Sequence, residues 1–342
     1  MRGQGPGPAV FTADVRLVTL PATVKDAHGA PVGGLDREDF SILEEGEPRE
    51  LVVFERRTNR PLSVVLMVDV SLSTAIELRY ERESAGRFLS GLLGPGSHPS
   101  DQASVFSFSS EVEVLQAFTR DHRLLSKALS RVRPQTGTSV YDAVLLASKE
   151  LEGREGRRVI VIITDGGDTT SSVRFADALR AAHGAEAAIY PLIVLPIQSD
   201  AGRNRGGEHA LITLAKNTGG ESFVQYGASN LDESFGKILR NLRTQYLLGY
   251  YLAGEGSGDG FRSVEVRVSR EGAVVLVRSG YFAAPPVRPP RSRPREAPVR
   301  LRSPAREREA ATPAPEPKEI KALPPRRPAD GKKRPPIIRP GP

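Results

Sequence analysis

Runs of aliphatic residues alternate with runs of helical periodicity over residues 60–243. The segments SVVLMVDV at 63–70 and RRVIVIITDGGD at 157–168 contain aliphatic stretches without a polar face, which is typical of strands buried on both sides. Residues 77–93 instead carry apolar side chains at helical spacing, and two strand-like segments within 103–119 are expected to form a hairpin. Strands that alternate with helices predict a mostly parallel sheet with helices on both faces. We therefore expect 60–243 to form a doubly wound α/β domain.

Short strand-like runs flank this domain on both sides. Residues 10–57 contain alternating runs separated by turn residues, and residues 246–283 contain a second cluster of the same kind. Neither cluster has enough strands to be stable alone, because an independent sheet needs three or more strands with an apolar face. We expect the two clusters to combine into one small β-sandwich, into which the α/β domain is inserted.

The C-terminal segment has a composition of its own. Of the 342 residues, 39% are hydrophobic, and the length suits roughly two domains. Residues 284–342 hold 17 of the 28 prolines and 16 Lys/Arg against 6 Asp/Glu, so this tail carries +10 and the remaining chain carries −3. Such a segment cannot bury enough apolar surface to offset its ordering entropy. We predict a disordered tail with polyproline II character over 284–342 and a disordered N-terminus over 1–9.

Several classes of protein are disfavoured by what the sequence lacks. The chain contains no cysteine, which excludes disulfides and thiolate metal sites. No apolar run approaches the roughly 20 residues that span a bilayer. The printed start lacks the apolar core of a signal peptide. We expect a soluble chain of unassigned compartment, for which export would require a longer start than the one printed.

Side chains that carry oxygen gather where two buried strands are predicted to end. Asp69 and Asp165 each terminate an aliphatic run, Ser71 and Ser73 follow at alternate positions, and Thr138 lies in a loop that opens a helix. In open α/β sheets, ligands bind beyond the carboxyl ends of the strands. Hydroxyls and carboxylates, with retained waters, suit hard cations such as Mg²⁺, whereas softer metals favour His or Cys. The sequence therefore predicts a metal site at this edge of the sheet.

The same residues resemble a known adhesion site. Asp-x-Ser-x-Ser at 69–73, TGT at 136–138 and ITDG at 163–166 follow one another as in the metal-ion-dependent adhesion site of the von Willebrand factor A domain family. This resemblance covers about 60–243. It implies that the two serines and the threonine bind a divalent cation directly, Mg²⁺ or alternatively Mn²⁺ or Ca²⁺, and that the aspartates act largely through water. It also implies that the last coordination position receives an acidic side chain from a protein partner. The implied set is Asp69, Ser71, Ser73, Thr138 and Asp165.

Each of these residues also has an ordinary structural interpretation. Asp69 and the two serines after it could form a turn and a helix cap, and Thr138 could cap the helix that begins near Ser139. Asp165 suits a turn. Asp168 is expected to cap or orient and not to bind metal.

Sequence signatures of common enzyme sites are missing. There is neither a Gly-x-Ser-x-Gly nucleophile elbow nor a Gly-x-x-x-x-Gly-Lys-Ser/Thr phosphate loop, and the five histidines are scattered without metal-ligand spacing. Asp69 does not fit a phosphoryl acceptor, because Ser71 stands where a second acid would be expected. A metal-dependent hydrolase would need a positioned base, and the sequence identifies none. We therefore do not expect an enzyme.

The arrangement over about 10–283, which closes with RSGYF, resembles the bacterial VWFA-related proteins of Acidobacteria and their neighbours. That resemblance implies little about function. We expect a divalent-metal-dependent binding module that captures an acidic group of a protein partner. The alternative is a structural or assembly protein with a vestigial metal site, which acts through its β-sandwich or its tail. The basic tail is expected to make weak, salt-sensitive contacts with polyanions or anionic membranes, without specific recognition of nucleic acid.

Overall fold

The computed structural model describes five ranges of the chain, residues 16–56, 59–74, 77–195, 203–252 and 260–282. By its internal contacts the chain divides into two units, Met1–Val287 and Arg288–Pro342, and every described residue lies in the first. The two segments predicted to be disordered, 1–9 and 284–342, lie outside the described residues.

Within these ranges the chain forms fourteen β-strands, six α-helices and three short 3-10 helices. The strands are β1 (Leu17–Lys25), β2 (Phe40–Glu44), β3 (Glu47–Arg49), β4 (Val53–Glu55), β5 (Leu62–Asp69), β6 (Gln102–Phe108), β7 (Val112–Thr119), β8 (Arg157–Thr164), β9 (Ala187–Leu195), β10 (Phe223–Tyr226), β11 (Tyr246–Tyr251), β12 (Phe261–Val268), β13 (Val274–Leu276) and β14 (Gly280–Phe282). The helices are α1 (Leu78–Leu93), α2 (His122–Arg131), α3 (Val140–Leu151), α4 (Phe175–Gly184), α5 (Arg205–Thr218) and α6 (Leu231–Arg243). Across the described ranges, no helix combines the length and apolar character needed to cross a bilayer.

The central sheet has six strands in the order β10-β9-β8-β5-β6-β7. All neighbouring pairs are parallel except β6 and β7, which form the predicted antiparallel hairpin. The chain first moves from β5 to β6 and later returns to place β8 on the other side of β5. The strand order therefore reverses beside β5, which is the position where open α/β sheets form a crevice for ligands.

Helices cover both faces of this sheet, as its aliphatic strands predict. Every residue of β5 is buried. Val64, Leu66 and Val68 pack in one apolar cluster with α1, α2 and α6, whereas Val65 and Met67 pack in a second cluster with α3, α4 and α5. Because side chains alternate along a strand, one strand supplies both layers. Burial of each such side chain stabilises the fold by about 1.5–3 kcal/mol.

The flanking strands form two four-stranded antiparallel sheets, β13-β1-β11-β4 and β14-β12-β2-β3. Each sheet combines N-terminal with C-terminal strands, since β1 pairs with β11 and β2 pairs with β12. One apolar cluster joins the sheets and includes Leu20, Ile42, Tyr246 and Val264. The predicted fold class is confirmed: a mostly parallel α/β sheet accompanied by a small antiparallel sandwich.

Polar contacts join the sandwich to the α/β domain. The Arg278 guanidinium, which is 6% exposed, donates to the Glu186 carboxylate and to the carbonyl oxygen of Thr19, each at 3.0 Å. Lys25 pairs with Glu221 at 2.5 Å. The bonds to Glu186 and Glu221 cross from the sandwich to the inserted domain, whereas the bond to Thr19 holds the Arg278 guanidinium against β1.

Candidate metal site

The two candidate aspartates lie at the same edge of the central sheet. Asp69 is the last residue of β5, and Asp165 directly follows the last residue of β8. The two strands are parallel neighbours, with Val68 opposite Ile163. Their carboxyl ends therefore meet beside the point where the strand order reverses.

The Asp69 carboxylate is fully buried and held by two hydrogen bonds. The Thr164 hydroxyl donates to Oδ2 at 2.6 Å, and the backbone N–H of Ser71 donates to Oδ1 at 2.8 Å. Burial raises the pKa of Asp69 from 3.8 to about 6, these hydrogen bonds oppose the increase, and the negative charge of Asp165 adds to it. A divalent cation beside this carboxylate would favour its charged form.

The segment after β5 turns sharply and brings the two serine hydroxyls together. Leu72–Thr74 form a 3-10 helix, and the Thr74 hydroxyl donates to the carbonyl oxygens of Asp69 at 3.1 Å and Ser71 at 3.0 Å. The hydroxyls of Ser71 and Ser73 lie 2.9 Å apart. A turn, and not a continued strand, therefore places both hydroxyls on one side.

Thr138 is brought to the site by a loop bonded to its neighbours on both sides. The N–H of Gln135 donates to the carbonyl oxygen of Val70 at 2.7 Å. Thr138 accepts a backbone bond from Thr169 at 2.8 Å, and its own N–H donates to the Thr169 hydroxyl at 3.0 Å. This loop is thus tied to the segment after β5 and to the segment after β8.

Gly137 is required by the backbone of this loop. Its φ is +79°, and a Cβ at this position would lie 3.0 Å from the Ser110 Cβ and 3.1 Å from the Thr170 Cγ2. A side chain here would combine left-handed strain with overlap.

The N-cap of α3 is Ser139, so the capping interpretation of Thr138 is wrong, and the Thr138 hydroxyl has no hydrogen bond among the described residues.

The loop after β8 presents Asp165 half-buried. Asp165 Oδ1 accepts from the N–H of Gly167 at 3.3 Å. Asp168 accepts from the Ser171 hydroxyl at 2.6 Å and from the Tyr141 N–H at 3.4 Å. Asp168 therefore orients the loop against the start of α3, in agreement with the sequence prediction.

One acidic residue near Asp69 and Asp165 was not predicted from the sequence. Glu81 lies in the first turn of α1 and is 0% exposed. Neither of its carboxylate oxygens has a hydrogen-bond partner among the described residues. Its pKa is raised well above the ordinary value, first by burial and then by the negative charges of Asp69, Glu77 and Asp165. Its only signal in the sequence is that it interrupts the apolar stripe from Leu78 to Ala85.

The donor set fits a hard divalent cation. In the described part of the chain, no three His, Cys, Asp or Glu side chains form a metal-binding group by themselves, so the candidate site depends on hydroxyl donors. Three hydroxyls and two carboxylates lie on three chain segments that are hydrogen-bonded to one another at this edge of the sheet. The Glu81 oxygens, on which the charges of Asp69 and Asp165 act, have no partner among the described residues. Oxygen donors of this kind suit Mg²⁺, Mn²⁺ or Ca²⁺.

Solved structures provide distant similarities. The BatB protein of Bacteroides thetaiotaomicron is 18% identical with a TM-score of 0.41, and the match covers 52% of this chain and 99% of that one. The vWF domain of the type V pili tip protein Mfa5 from Porphyromonas gingivalis is 14% identical with a TM-score of 0.41, covering 53% and 94%. A von Willebrand factor type A protein from Catenulispora acidiphila is 11% identical with a TM-score of 0.44, covering 78% and 73%.

Sequence comparison supports a family assignment. A search of curated proteins gave no match. Residues 64–167, a range that contains all five candidate ligands, match the family model of the von Willebrand factor type A domain. Residues 64–167 therefore correspond to a von Willebrand factor type A domain.

Proposed function

We propose that this chain is a binding module that holds a divalent cation and uses it to capture an acidic side chain of a protein partner. The cation is Mg²⁺, with Mn²⁺ or Ca²⁺ as substitutes. The observation that carries the proposal is the convergence of oxygen donors from three chain segments that are hydrogen-bonded to one another at the switch point of the sheet. The proposed ligands are Asp69, Ser71, Ser73, Thr138 and Asp165, with the aspartates acting largely through water.

The charge of this donor set favours capture of a carboxylate. Asp69 and Asp165 provide two negative charges, and the other three side chains are neutral hydroxyls. Because the two carboxylates are proposed to act largely through water, they neutralise a doubly charged cation only in part. The cation therefore remains electrophilic. A hard oxygen anion is the ligand that such a cation prefers in its remaining coordination position.

Exposed side chains near the site suggest what surrounds that acidic group on the partner. Leu72, between the two serines, is 60% exposed. Tyr226 at the end of β10 is 56% exposed, and its hydroxyl lies 3.4 Å from the Arg203 guanidinium. Arg203 pairs with Glu208. The backbone nitrogen of Glu208 lies next to Gly166, the residue that follows Asp165. We propose that the partner presents its acid next to apolar and aromatic groups.

The proposal is tested by affinity capture from lysate with the parent protein and two threonine variants. Thr138→Ala removes a proposed ligand, whereas Thr213→Ala removes a threonine hydroxyl from α5 and serves as the matched control. We expect one set of proteins to be retained by the parent and by Thr213→Ala in Mg²⁺, and to be lost in EDTA or with Thr138→Ala. Blocking the carboxyl groups of an identified partner with carbodiimide and ethanolamine should abolish its retention. Retention that is indifferent to EDTA and to Thr138→Ala would favour the structural alternative.

A further inference from the structure

Glu81 occupies a position that an acidic residue does not normally occupy. It lies on the face of α1 that packs against the central sheet, one turn before Ala85 and one turn after Leu78. It is completely buried, and neither carboxylate oxygen has a hydrogen-bond partner in the described part of the chain. Buried carboxyl groups are normally paired or hydrogen-bonded, because burial without a partner is costly. An apolar residue would fill this position at lower cost.

The buried Glu81 carboxyl lies within electrostatic range of two proposed ligands. The acidic groups that act on it most strongly include Asp69 and Asp165, one from each side of the sheet's switch point. Glu77, the N-cap residue of α1, accepts a hydrogen bond from the N–H of Ala228 at 3.2 Å. Among the residues that the structure describes, Glu81 differs from Glu77 in having no such partner. Its position in the first turn of α1 also suits a negative charge, because the helix N-terminus carries a partial positive charge.

We propose that Glu81 is a further acidic residue of the metal site and accepts a hydrogen bond from a water bound to the cation on its buried side. This inference rests on the proposed function. Among the described residues, the carboxyl groups of Asp69, Glu81 and Asp165 do not form a metal-binding group by themselves. This favours action of Glu81 through water over its direct coordination to the cation. Glu81 is thus a positioning residue, and its charge strengthens the hold on the cation without occupying the position left for the partner.

The test compares cation affinity in variants of Glu81 and of an exposed glutamate on the same helix. Glu81→Gln keeps the shape and removes the charge, and Glu81→Leu continues the apolar stripe of α1. Glu83→Gln is the matched control, because Glu83 is exposed and pairs with Arg79 at 3.1 Å. Calorimetric titration with Mg²⁺ and Mn²⁺ gives the Kd for each full-length protein, and thermal unfolding in EDTA gives the stability of the metal-stripped form.

We expect both Glu81 variants to bind the cation about 10–100-fold more weakly than the parent, the loss typical of outer-shell partners of metal sites. Glu83→Gln should match the parent within about twofold, since the Glu83 carboxylate is exposed to solvent and pairs with Arg79. In EDTA the Glu81 variants should melt at or above the parent temperature, because each removes a buried acid without a partner. A merely structural role would lower that temperature instead.

The outcomes separate this inference from the proposed function. A parent protein that binds neither cation contradicts the proposed function itself. A parent that binds, with Glu81→Gln and Glu81→Leu at the same Kd, contradicts only the role of Glu81. Should Glu81→Gln fold poorly, parent-like affinity in Glu81→Leu is sufficient to overturn the inference.

Discussion

Replacing Asp69 by asparagine should change how the stability of the metal-stripped protein depends on pH. Burial raises the pKa of this carboxyl to about 6, against 3.8 for an ordinary aspartate. The folded state therefore holds the proton more tightly than the unfolded state, and folding is favoured as the pH falls. Asp69→Asn removes this titration while retaining the size of the side chain.

The size of the effect follows from the two pKa values. Each pKa unit corresponds to about 1.4 kcal/mol, so the full difference is about 3 kcal/mol and is reached only below pH 3.8. Between pH 7.5 and pH 5.5, the Asp69 carboxyl should raise the free energy of unfolding by about 1 kcal/mol. His183 acts in the opposite direction, because burial, and then the charge of Arg278, lower its pKa to about 4. The quantity to measure is therefore the difference between the parent and Asp69→Asn, in which the contribution of His183 cancels. What remains is the titration of Asp69 together with its coupling to Glu81, whose pKa the Asp69 charge raises.

The assay is urea unfolding of both proteins in EDTA at pH 7.5 and pH 5.5. We expect the stability of the parent relative to Asp69→Asn to increase by about 1 kcal/mol on going to the lower pH. Saturating Mg²⁺ should reverse this trend, because the cation favours the carboxylate. A difference that stays constant between the two pH values, or that moves the other way in EDTA, refutes the assignment of Asp69 as a buried carboxyl with a raised pKa.

Three further predictions concern the rest of the chain. Arg278→Ala should lower the free energy of unfolding by about 2 kcal/mol, because it removes partly buried bonds from a buried guanidinium to Glu186 and Thr19. The exposed Arg267→Ala should cost less than about 0.5 kcal/mol, and equal losses in thermal unfolding would contradict a special role for Arg278. Deleting 246–282 should make the N-terminal strands protease-sensitive, since β11 lies between β1 and β4, and continued protection would refute the shared sandwich. Deleting 284–342 should weaken retention on heparin at low salt, because Lys and Arg contacts with polyanions release counterions; equal retention with and without the tail would exclude the polyanion contact.

The central sheet could be predicted from the sequence because its signals are local. A strand such as Val64–Val68 is aliphatic at every position, and only burial on both faces explains that pattern. The pairing within the sandwich could not be predicted in the same way. Val18 pairs with Tyr250 across more than two hundred residues, and such a register depends on packing between distant segments. The strand clusters were recognisable, but their order within the two sheets was not.

In the candidate site, too, the local features could be predicted from the sequence and those that depend on tertiary packing could not. Residues at fixed spacing after strands, such as Ser71 and Ser73, could be found from the sequence. The turn that joins their hydroxyls depends on the Thr74 hydroxyl, which bonds two backbone carbonyls. The alternate spacing of Ser71 and Ser73 does not by itself distinguish such a turn from a continued strand. Glu81 was missed because a lone acid in a charged helix resembles a solvated residue. Its burial depends on which face of α1 meets the sheet, and that is decided by tertiary packing.

The most direct test of the account is a calorimetric titration of the full-length parent, Thr138→Ala and Thr213→Ala with Mg²⁺ and Mn²⁺. We expect one cation site in the parent and in Thr213→Ala. Thr138→Ala should bind the cation with strongly reduced affinity, with unchanged circular dichroism and melting temperature in EDTA, because the apolar layers of the sheet assemble without the site. A parent that gives no heat with either cation at millimolar concentration, or a Thr138→Ala variant with the parent's Kd, would contradict the assignment of these oxygen donors as a metal site.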